Sequence, residues 1–389
     1  MHWTKKKYAI GIFLDLKKAI DVCSHSILLR KLHKLGIRDT ALQWFTSYLH
    51  GQQQKVDISG NLSSARSLDI SVLQGSILGP ILFLCYINDL HFYTSLFTSM
   101  FADDTACADS DTDLNSLLLR ANFELKKIAL WFRANKMAVN ISKTKYMIFH
   151  NKGKLVNMEG KDLVYDDNEP QGADPHLVVP LERYHSNHAN PDCRAYKLLG
   201  IYLDDKLNFN YYTNFLCNKL NRSLFCMRRA KNFLTPTALR TLYFAFIQSH
   251  LNYCPIILSS ISQHNFNQIK LIQKKAIRII TDSTYTAHTA PLFAQLQILP
   301  YELIIKQAKL LFMHSIEYNY AAPSFLGIWT KNYIIQGDRP LRNADNYTLP
   351  NPRTELFKKS PLYTLPLEWN MLDENRYIRN RTTFKTALK

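Results

Sequence analysis

The amino-acid sequence predicts an α+β fold over residues 1–150, followed by a mainly helical region. The first observation is the run YAIGIFL at 8–14, which is short, unbroken and apolar, as expected of a strand buried on both faces. The second is the segment 96–108, in which the runs LFTSMFA and TACA lie on either side of Asp103 and Asp104, a pattern typical of a hairpin. The third is the helical spacing of apolar residues that dominates the rest of the chain.

The other elements of the first region follow from local patterns. Leucines 28, 32 and 35 recur with helical spacing, and Gly36 lies where a helix ends, so we expect a helix over 25–35. Further along the chain we expect helices at 41–49, 81–90 and 114–132, a hairpin at 52–72 that turns near Asn61, a loop that opens at 74–76, and a strand at 146–149.

The remainder of the chain divides into three segments of different character. Residues 151–195 are acidic, rich in Asp, Asn, Pro and His, and without periodicity, which predicts a loop or insertion. Residues 196–320 begin with KLLGIYLD and predict a helical, basic region. Residues 321–389 are rich in Pro, Asn and Arg, and we expect an irregular tail. The helices expected in the basic region lie at 211–230, 236–250, 264–281 and 300–318.

The composition indicates a globular chain with a strong basic surplus. Of the 389 residues, 47% are hydrophobic and 20% are charged, which is enough apolar mass for more than one core. The formal net charge is +17, and residues 201–389 contribute most of it, with 24 basic and 11 acidic side chains. A basic surplus of this size favours a polyanionic partner such as nucleic acid, although a basic protein without such a partner remains an alternative.

The cysteines and the apolar runs predict the cellular location of the protein and whether it associates with membranes. The seven cysteines are odd in number and form no C-x-x-C pair, which is typical of reduced thiols in an intracellular protein of the cytoplasm or nucleus. The most apolar run, 78–87, is about half the ~20 residues that a membrane span needs, and it contains Pro80. The basic start resembles a signal peptide, but Asp15 ends its apolar run and no cleavage site follows. We therefore expect no membrane association.

Three carboxylates point to metal chemistry. An Asp-Asp dipeptide alone is weak support, because most such pairs are turn residues. Two adjacent carboxylates, joined by a third from a neighbouring strand end, can hold two Mg²⁺ ions about 4 Å apart. Such ions activate an attacking hydroxyl and neutralise a leaving pyrophosphate. Asp103 and Asp104 form the pair, and Asp15, at the end of a buried strand, is the natural third ligand.

Three ordered blocks carry a family resemblance. They are FLDLKKAID at 13–21, QGSILGPILFLCYINDL at 74–90 and FADD at 101–104. Together they resemble the reverse transcriptases of non-LTR (LINE-type) retrotransposons. Further blocks that resemble this family lie at 139–149, 197–209 and 250–293. The resemblance implies a polymerase palm with an antiparallel sheet in residues 1–150 and a basic, helical thumb after it.

The resemblance also implies a reaction and its participants. The activity would be RNA-directed DNA synthesis from dNTPs, with Mg²⁺ as cofactor and Mn²⁺ as a substitute. The partners would be an RNA template and a DNA primer, with the element's own RNA as a further candidate. The implied metal ligands are Asp15, Asp103, Asp104 and the backbone carbonyl of Leu16.

Further residues take roles from the same resemblance. Gln74, Gly75 and Ser76 would lie against the template and the incoming nucleotide, where glycine permits close backbone approach. Lys143 would donate a proton to the leaving pyrophosphate or hold its charge, and Lys145 is an equally placed candidate.

Several positions depart from the family pattern. Ile20 stands where the family usually has phenylalanine under the sugar, so we expect weakened discrimination against a 2′-hydroxyl. Ser24 and Leu73 replace a common aspartate and proline. The chain begins just upstream of Asp15, so we expect a truncated copy without fingers or endonuclease.

Three alternatives to this polymerase remain. A polymerase of the group II intron or telomerase type would have the same palm architecture. A catalytically defective remnant would only bind nucleic acid. A helical scaffold protein would explain the basic half but not the hairpin that carries Asp103 and Asp104.

Basic clusters and a group of histidines with a cysteine are further candidates for binding nucleic acid and metal, respectively. Two basic clusters are expected to contact the nucleic-acid backbone, the alternative being solvated helix faces. They comprise Arg222, Arg228, Arg229 and Lys231, and the i, i+4, i+8 stripe of Lys270, Lys274 and Arg278. His185, His188 and Cys193, with His176 upstream, fit no common zinc module, so we expect an ordinary loop there.

Overall fold

The chain folds into two compact units, which are described separately. The structure is a computed structural model, and it describes residues 7–73, 75–150, 156, 162–166, 178–332, 344–352, 354–372 and 374–388. The first unit is Lys5–Leu207, and the second consists mainly of Asn208–Lys389. The boundary near Leu207 places the KLLGIYLD block with the first unit rather than with the helical region that follows.

The first unit is built on a five-stranded sheet with the order β11-β8-β1-β7-β6. The central strand β1 pairs antiparallel with β7 on one side and with β8 on the other. In chain order, the strands are β1 (Tyr8–Leu14), β2 (Gln53–Gln54), β3 (Asp57–Ile58), β4 (Asn61–Leu62), β5 (Arg66–Ser67), β6 (Phe97–Phe101), β7 (Asp104–Asp111), β8 (Lys145–Phe149), β9 (Val164–Asp166), β10 (Val178–Pro180), β11 (Glu182–Tyr184), β12 (Tyr196–Leu198) and β13 (Ile201–Leu203).

The helices of the first unit pack on one face of this sheet. The side chains of Ile10, Ile12 and Leu14 alternate along β1 toward that face, and they join a core formed with the apolar sides of the helices. The helices are α1 (His25–Lys34), α2 (Asp39–Leu49), α3 (Gly79–Ile87) and α4 (Leu114–Ala134), with 3₁₀ turns at Asn88–Phe92 and Pro191–Cys193.

Most of the elements expected in residues 1–150 are confirmed. The strand at 8–14 and the hairpin at 96–108 form as expected, and each predicted helix agrees with an observed one to within a few residues. The expected hairpin at 52–72 consists of two short ladders, β2–β5 and β3–β4. Its turn is at Ser59 and Gly60, next to Asn61 as expected, and both residues have the positive φ that a two-residue hairpin turn requires.

The expectation of a plain loop over 151–195 is wrong for the part that the structure describes. Three short strands form there, and β11 extends the main sheet by pairing parallel with β8. Leu163, Tyr165 and Leu181 are buried in the core of the first unit. Each of these strands is only three residues long, too short for alternation to form a recognisable pattern, which is why the sequence did not reveal them.

The second unit is mainly helical in its described residues, with an isolated β-bridge between Lys331 and Tyr347. Its helices α5 and α9 pack against each other, and α11 packs on α9. The expected helix at 236–250 is interrupted by a π-helical segment, Phe244–Gln248. The helices are α5 (Asn210–Ala230), α6 (Pro236–Tyr243), α7 (Ser249–Leu251), α8 (Pro255–Leu258), α9 (Gln263–Ile280), α10 (Thr289–Leu296), α11 (Tyr301–Glu317), α12 (Glu355–Lys359), α13 (Pro361–Asn370) and α14 (Arg381–Ala387), with 3₁₀ turns at Pro323–Phe325 and Glu374–Tyr377.

The tail beyond residue 321 is more ordered than the sequence predicts. Helices α13 and α14 pack against α11 and bury Trp369 and Phe384 in a separate core. Each helix is short, so its apolar residues do not repeat often enough to form a clear pattern. Local signals are nevertheless present, because α13 begins with Pro361 and Asn380 caps α14. Among the helices that the structure describes, none is both long and apolar enough to cross a membrane.

The start of α3 depends on a glycine. A Cβ atom added at Gly79 would lie 2.6 Å from the carbonyl oxygen of Leu73 and 3.0 Å from Ser76 Oγ. We therefore expect Gly79→Ala to destabilise the protein by about 1–3 kcal/mol, measured from its urea unfolding midpoint. Ile81→Ala, at an exposed position of the same helix, is the control and should change stability by less than about 0.5 kcal/mol. Equal midpoints for the two variants would contradict this.

Candidate active site

The pairing of β1 with β7 brings carboxylates to one edge of the sheet. Leu14 is the register partner of Thr105, so Asp15 follows β1 beside Asp104, the first residue of β7. Along β7 the side chains of Thr105 and Cys107 are buried, whereas that of Asp104 is exposed, because successive side chains of a strand alternate between faces. Asp103 lies in the two-residue turn before β7. The expected proximity of Asp15 to the hairpin is therefore what the fold produces.

The electrostatics of the site follow from this proximity. Partial burial, together with the neighbouring carboxylates of Asp103 and Asp15, raises the pKa of Asp104 above its ordinary value. Asp15 Oδ2 is buried and has no hydrogen-bond partner among the described residues. The nearest cation is the Lys143 ammonium, whose Nζ lies 3.8 Å from that oxygen. The site thus concentrates negative charge that its own hydrogen bonds do not satisfy.

The backbone of Asp15 is held in place by the segment before β8. Its N–H donates to Thr144 Oγ1 at 3.2 Å, and its carbonyl oxygen accepts from the Asn140 N–H at 2.7 Å. Leu16 continues this contact through an antiparallel bridge to Val139, with its side chain buried. Asp15 and Leu16 are therefore fixed by the sheet on one side and by residues 139–144 on the other.

These residues fit a divalent cation. Carboxylate oxygens are the ligands that Mg²⁺ and Mn²⁺ prefer in proteins. The buried Asp15 oxygen without a hydrogen bond and the raised pKa of Asp104 are both features that a bound cation would relieve.

The structure distinguishes the two candidate lysines. The Lys143 side chain is 69% exposed, and its ammonium lies beside Asp15. The Lys145 side chain is only 11% exposed, and its Nζ donates to Glu182 Oε2 at 2.6 Å. Lys145 therefore links β8 to β11 through its ion pair with Glu182. Of the two candidates, Lys143 is the one that lies near the carboxylates.

An aromatic pair beneath the site was missed in the sequence. The rings of Phe13 and Tyr196 stack at a centroid distance of 4.0 Å and an interplanar angle of 10°. Burial raises the pKa of Tyr196 to about 12, and the negative charges of Asp104 and Asp15 contribute. Tyr196 immediately precedes the KLLGIYLD block, but that position alone does not indicate a contact with β1. The β12–β13 hairpin therefore supports the site from the face opposite the helices.

The loop before α3 is joined to the segment after Asp15. The Val72 N–H donates to the Ile20 carbonyl oxygen at 3.1 Å. Gly75 has φ +84°, a conformation that favours glycine. The Ser76 hydroxyl donates to the Leu73 carbonyl at 2.8 Å and accepts from the Gly79 N–H at 2.9 Å, so it already stabilises the start of α3. Gln74 lies outside the described residues.

The basic residues predicted for nucleic-acid binding fall into two groups. Arg222, Arg228 and Arg229 are exposed on α5, and the Arg229 guanidinium lies 5.6 Å from the centre of the Phe225 ring.

The cations of the stripe expected on α9 are half-buried and mostly engaged within the second unit, and their contact with nucleic acid stays a prediction. Lys270 forms an ion pair with Glu302, and Arg278 donates two hydrogen bonds to the Ala287 carbonyl oxygen, while Lys274 is half-buried. Lys231, of the first cluster, is likewise ion-paired, with Asp282.

Comparison with known proteins establishes the family. Residues 1–203 match the family described as reverse transcriptase (RNA-dependent DNA polymerase). The chain belongs to the reverse transcriptase family. This match confirms the resemblance inferred from the FLDLKKAID, QGSILGP and FADD blocks. The carboxylate cluster of the first unit lies within the matched residues.

The relatives of this reverse transcriptase come from mobile elements. It is 24% identical over 307 residues to the RNA-directed DNA polymerase from mobile element jockey of Drosophila melanogaster, which covers 75% of this chain and 30% of the relative. It is 25% identical over 315 residues to a probable RNA-directed DNA polymerase from transposon BS of the same organism, covering 75% of this chain and 31% of the relative. The expected assignment to non-LTR retrotransposons is confirmed. The match thus spans less than a third of the length of these relatives.

The charge of Asp104 should cost this reverse transcriptase stability. The pKa of Asp104 is higher in the folded chain than in the unfolded one, so its ionised form is disfavoured by folding. We expect Asp104→Asn to raise the melting temperature of the EDTA-treated protein at pH 7. The gain should disappear as the pH falls through the raised pKa, because the wild-type side chain is then also neutral.

The control is Asp111→Asn, for which we expect a change in melting temperature of the opposite sign. The Asp113 N–H and the Arg120 guanidinium lower the pKa of Asp111 to about 2. Its ionised form therefore stabilises the folded chain above the ordinary pKa, and this contribution is lost as the pH falls through about 2. The variant should melt at a lower temperature than the wild type at pH 7. Shifts of the same sign in the two variants would be inconsistent with this account.

Proposed function

We propose that this chain catalyses RNA-directed DNA synthesis, in which a primer 3′-hydroxyl attacks a dNTP under the direction of an RNA template. The observation that carries the proposal is the convergence of Asp15, Asp103 and Asp104 at one edge of the palm sheet. Membership of the reverse transcriptase family supports it. The partners are an RNA template, a DNA primer and dNTPs, with the element's own RNA as a candidate template.

The carboxylates form the metal site of the proposed reaction. Asp15, Asp103 and Asp104, with the backbone carbonyl of Leu16, would hold Mg²⁺, or Mn²⁺ in its place. When bound, the ions supply the positive charge that activates the primer hydroxyl and neutralises the pyrophosphate. The carboxylates project from the ends of paired strands, so they keep their positions while substrates exchange.

Lys143 acts on the leaving group in this proposal. Its side chain is largely exposed, so it can turn from Asp15 toward the pyrophosphate. There the ammonium stabilises the pyrophosphate by its charge or by donating a proton. The buried Lys145 is paired with Glu182 and takes no part in this proposal.

The loop before α3 contacts the nucleotide and the template. We assign this contact to Gln74, Gly75 and Ser76, with the Ser76 hydroxyl acting mainly to shape the loop. Ile20, whose carbonyl is bonded to Val72 of the same loop, lies at the sugar. Because isoleucine lacks the flat ring that the family usually has there, we propose weakened exclusion of ribonucleotides, which competition between dNTPs and rNTPs would measure.

The exposed arginines of α5 contact the duplex backbone. In the second unit, the residues that we propose for this contact are Arg222, Arg228 and Arg229, because their side chains are exposed to solvent. Lys231, Lys270 and Arg278 are engaged within the chain and contribute mainly to packing. Lys274 is the remaining candidate on α9. Backbone contacts of this kind recognise the shape and charge of the duplex rather than its base sequence.

Primer extension tests the proposed activity. The purified chain should extend oligo(dT) on poly(A) in the presence of Mg²⁺ or Mn²⁺. Asp103→Asn should lower the rate by at least about 100-fold, since it removes charge from the metal site. Asp111→Asn, on the same strand but away from the carboxylate cluster, is the control and should retain activity at a temperature where it is folded. Salt-sensitive binding of the duplex without extension would instead identify a catalytically defective remnant.

The salt dependence of duplex binding tests the arginines. Arg228→Gln and Arg229→Gln should each weaken binding to an RNA–DNA hybrid and lower the slope of log K against log salt by roughly one. Lys231→Gln should change the slope less, because its ammonium is already paired with Asp282. Fluorescence anisotropy across a salt series gives the three slopes. A larger effect of Lys231→Gln than of either arginine variant would argue against this interface.

A further inference from the structure

A second cluster of metal-binding side chains lies in the first unit, separate from the catalytic carboxylates. Glu182, His188 and Cys193 each direct a ligand atom to one point, and these atoms lie within 4.8 Å of one another. The sequence pattern indicates the histidines and the cysteine as candidate ligands but not Glu182. Among the residues that the structure describes, this is the one mixed cluster of oxygen, nitrogen and sulfur ligands. His176, the other histidine considered, lies outside the described residues.

Cys193 anchors the cluster from the buried side. Its thiol is 4% exposed and donates to Glu182 Oε1 at 3.2 Å. Its backbone N–H donates to the Asn190 carbonyl at 3.1 Å, and its carbonyl accepts from the His185 N–H at 3.1 Å. The segment 185–193 is therefore closed on itself by backbone hydrogen bonds, which hold the thiol in position.

Glu182 is oriented by a neighbour that leaves one oxygen available. Its Oε2 accepts from Lys145 Nζ at 2.6 Å, whereas its Oε1 faces the thiol. Lys145 is largely buried on β8, so it fixes the carboxylate as a second-shell group fixes a metal ligand.

His188 completes the group from the exposed side. Its backbone N–H donates to the His185 carbonyl at 2.9 Å, and the two imidazole rings lie 5.2 Å apart. Its Nδ1 accepts from the Asn190 N–H at 3.1 Å, so coordination through Nε2 would move the ring proton to Nδ1 and break that bond. Metal binding therefore exchanges this hydrogen bond for a metal–nitrogen bond.

We propose that Glu182, His188 and Cys193 bind a zinc ion that stabilises this side of the palm sheet. Cysteine sulfur, histidine nitrogen and glutamate oxygen are the ligand types that Zn²⁺ accepts in proteins. Zinc–ligand bonds of about 2.0–2.3 Å place ligand atoms roughly 3.3–3.8 Å apart, so the present cluster must contract by about 1 Å. The thiol loses its proton to solvent as the zinc–sulfur bond forms. Water would supply the fourth ligand.

The site would act on the structure around the carboxylates rather than on the reaction. It would join β11 to the 3₁₀ turn at Pro191–Cys193, and β11 contains Tyr184. The Tyr184 ring contacts that of Tyr196 at 5.9 Å, and Tyr196 stacks on Phe13 beneath the catalytic edge. The inference is independent of the proposed polymerase activity, because it rests on ligands that the activity does not use.

Cobalt binding tests the site with a spectroscopic readout. The full chain, freed of metal by a chelator, should bind one equivalent of Co²⁺ with the charge-transfer absorption of a cobalt–thiolate bond, and added Zn²⁺ should displace it. Cys193→Ser should abolish that absorption. His188→Gln should weaken Co²⁺ binding by at least about 10-fold. Cys226→Ser, which changes an exposed cysteine of the second unit, is the matched control and should leave the absorption intact.

The outcomes separate this site from the catalytic one. Asp103→Asn should retain the absorption, since it alters only the carboxylate cluster, so loss of polymerase activity does not affect the result. Circular dichroism of each variant confirms folding, and the half-buried His188 gives a test that does not depend on the buried thiol. Absence of a thiolate band in the wild type, or a band that survives Cys193→Ser, would overturn the proposal.

Discussion

The antiparallel pairing of β1 with β7 is the constraint on which the active-site geometry depends. Its register places Leu14 opposite Thr105, and this brings Asp15 next to the carboxylates of the hairpin. The register is held by burial, because Ile10, Ile12 and Leu14 must face the helices. A slip of one residue would turn these side chains away from the core and move Asp15 to the wrong face of the sheet. The hydrophobic core thereby determines where the charges lie.

The negative charge at this edge of the sheet lowers the stability of the fold. Asp104 has a raised pKa, and a buried oxygen of Asp15 has no hydrogen-bond partner among the described residues. Elsewhere on β7 the acidic side chains are satisfied, since Asp109 and Asp111 both accept from Arg120. On β7, the carboxylates of Asp109 and Asp111 are thus paired with an arginine, whereas Asp104, at the start of the strand, lies beside the carboxylates of Asp103 and Asp15. Such a contrast is typical of functional sites, where stability is given up for binding.

The basic surplus of the second unit is only partly available to a polyanion. Lys231, Lys270 and Arg278 are bound by an acidic side chain or a carbonyl oxygen of the same unit. Their spacing on a helix is the same whether they face solvent or a neighbouring helix, so periodicity could not separate the two cases. The arginines of α5 differ because α5 packs on α9 by its other face. Of the seven basic residues predicted to contact nucleic acid, the three arginines of α5 and Lys274 therefore remain as candidates.

The sequence by itself determined most helices and strands of residues 1–150, the family and the three acidic positions, because each depends on a contiguous motif or a local hydrophobic pattern. It did not determine the strands within 178–195, the Phe13–Tyr196 stack, the choice between Lys143 and Lys145, or the convergence of Glu182 on Cys193. Each of these depends on residues far apart in the chain that meet only when β11 pairs with β8 and the β12–β13 hairpin packs against β1 through Tyr196 and Phe13. Local spacing carries no information about such contacts, because burial and pairing between distant segments decide them, and these are properties of the tertiary structure.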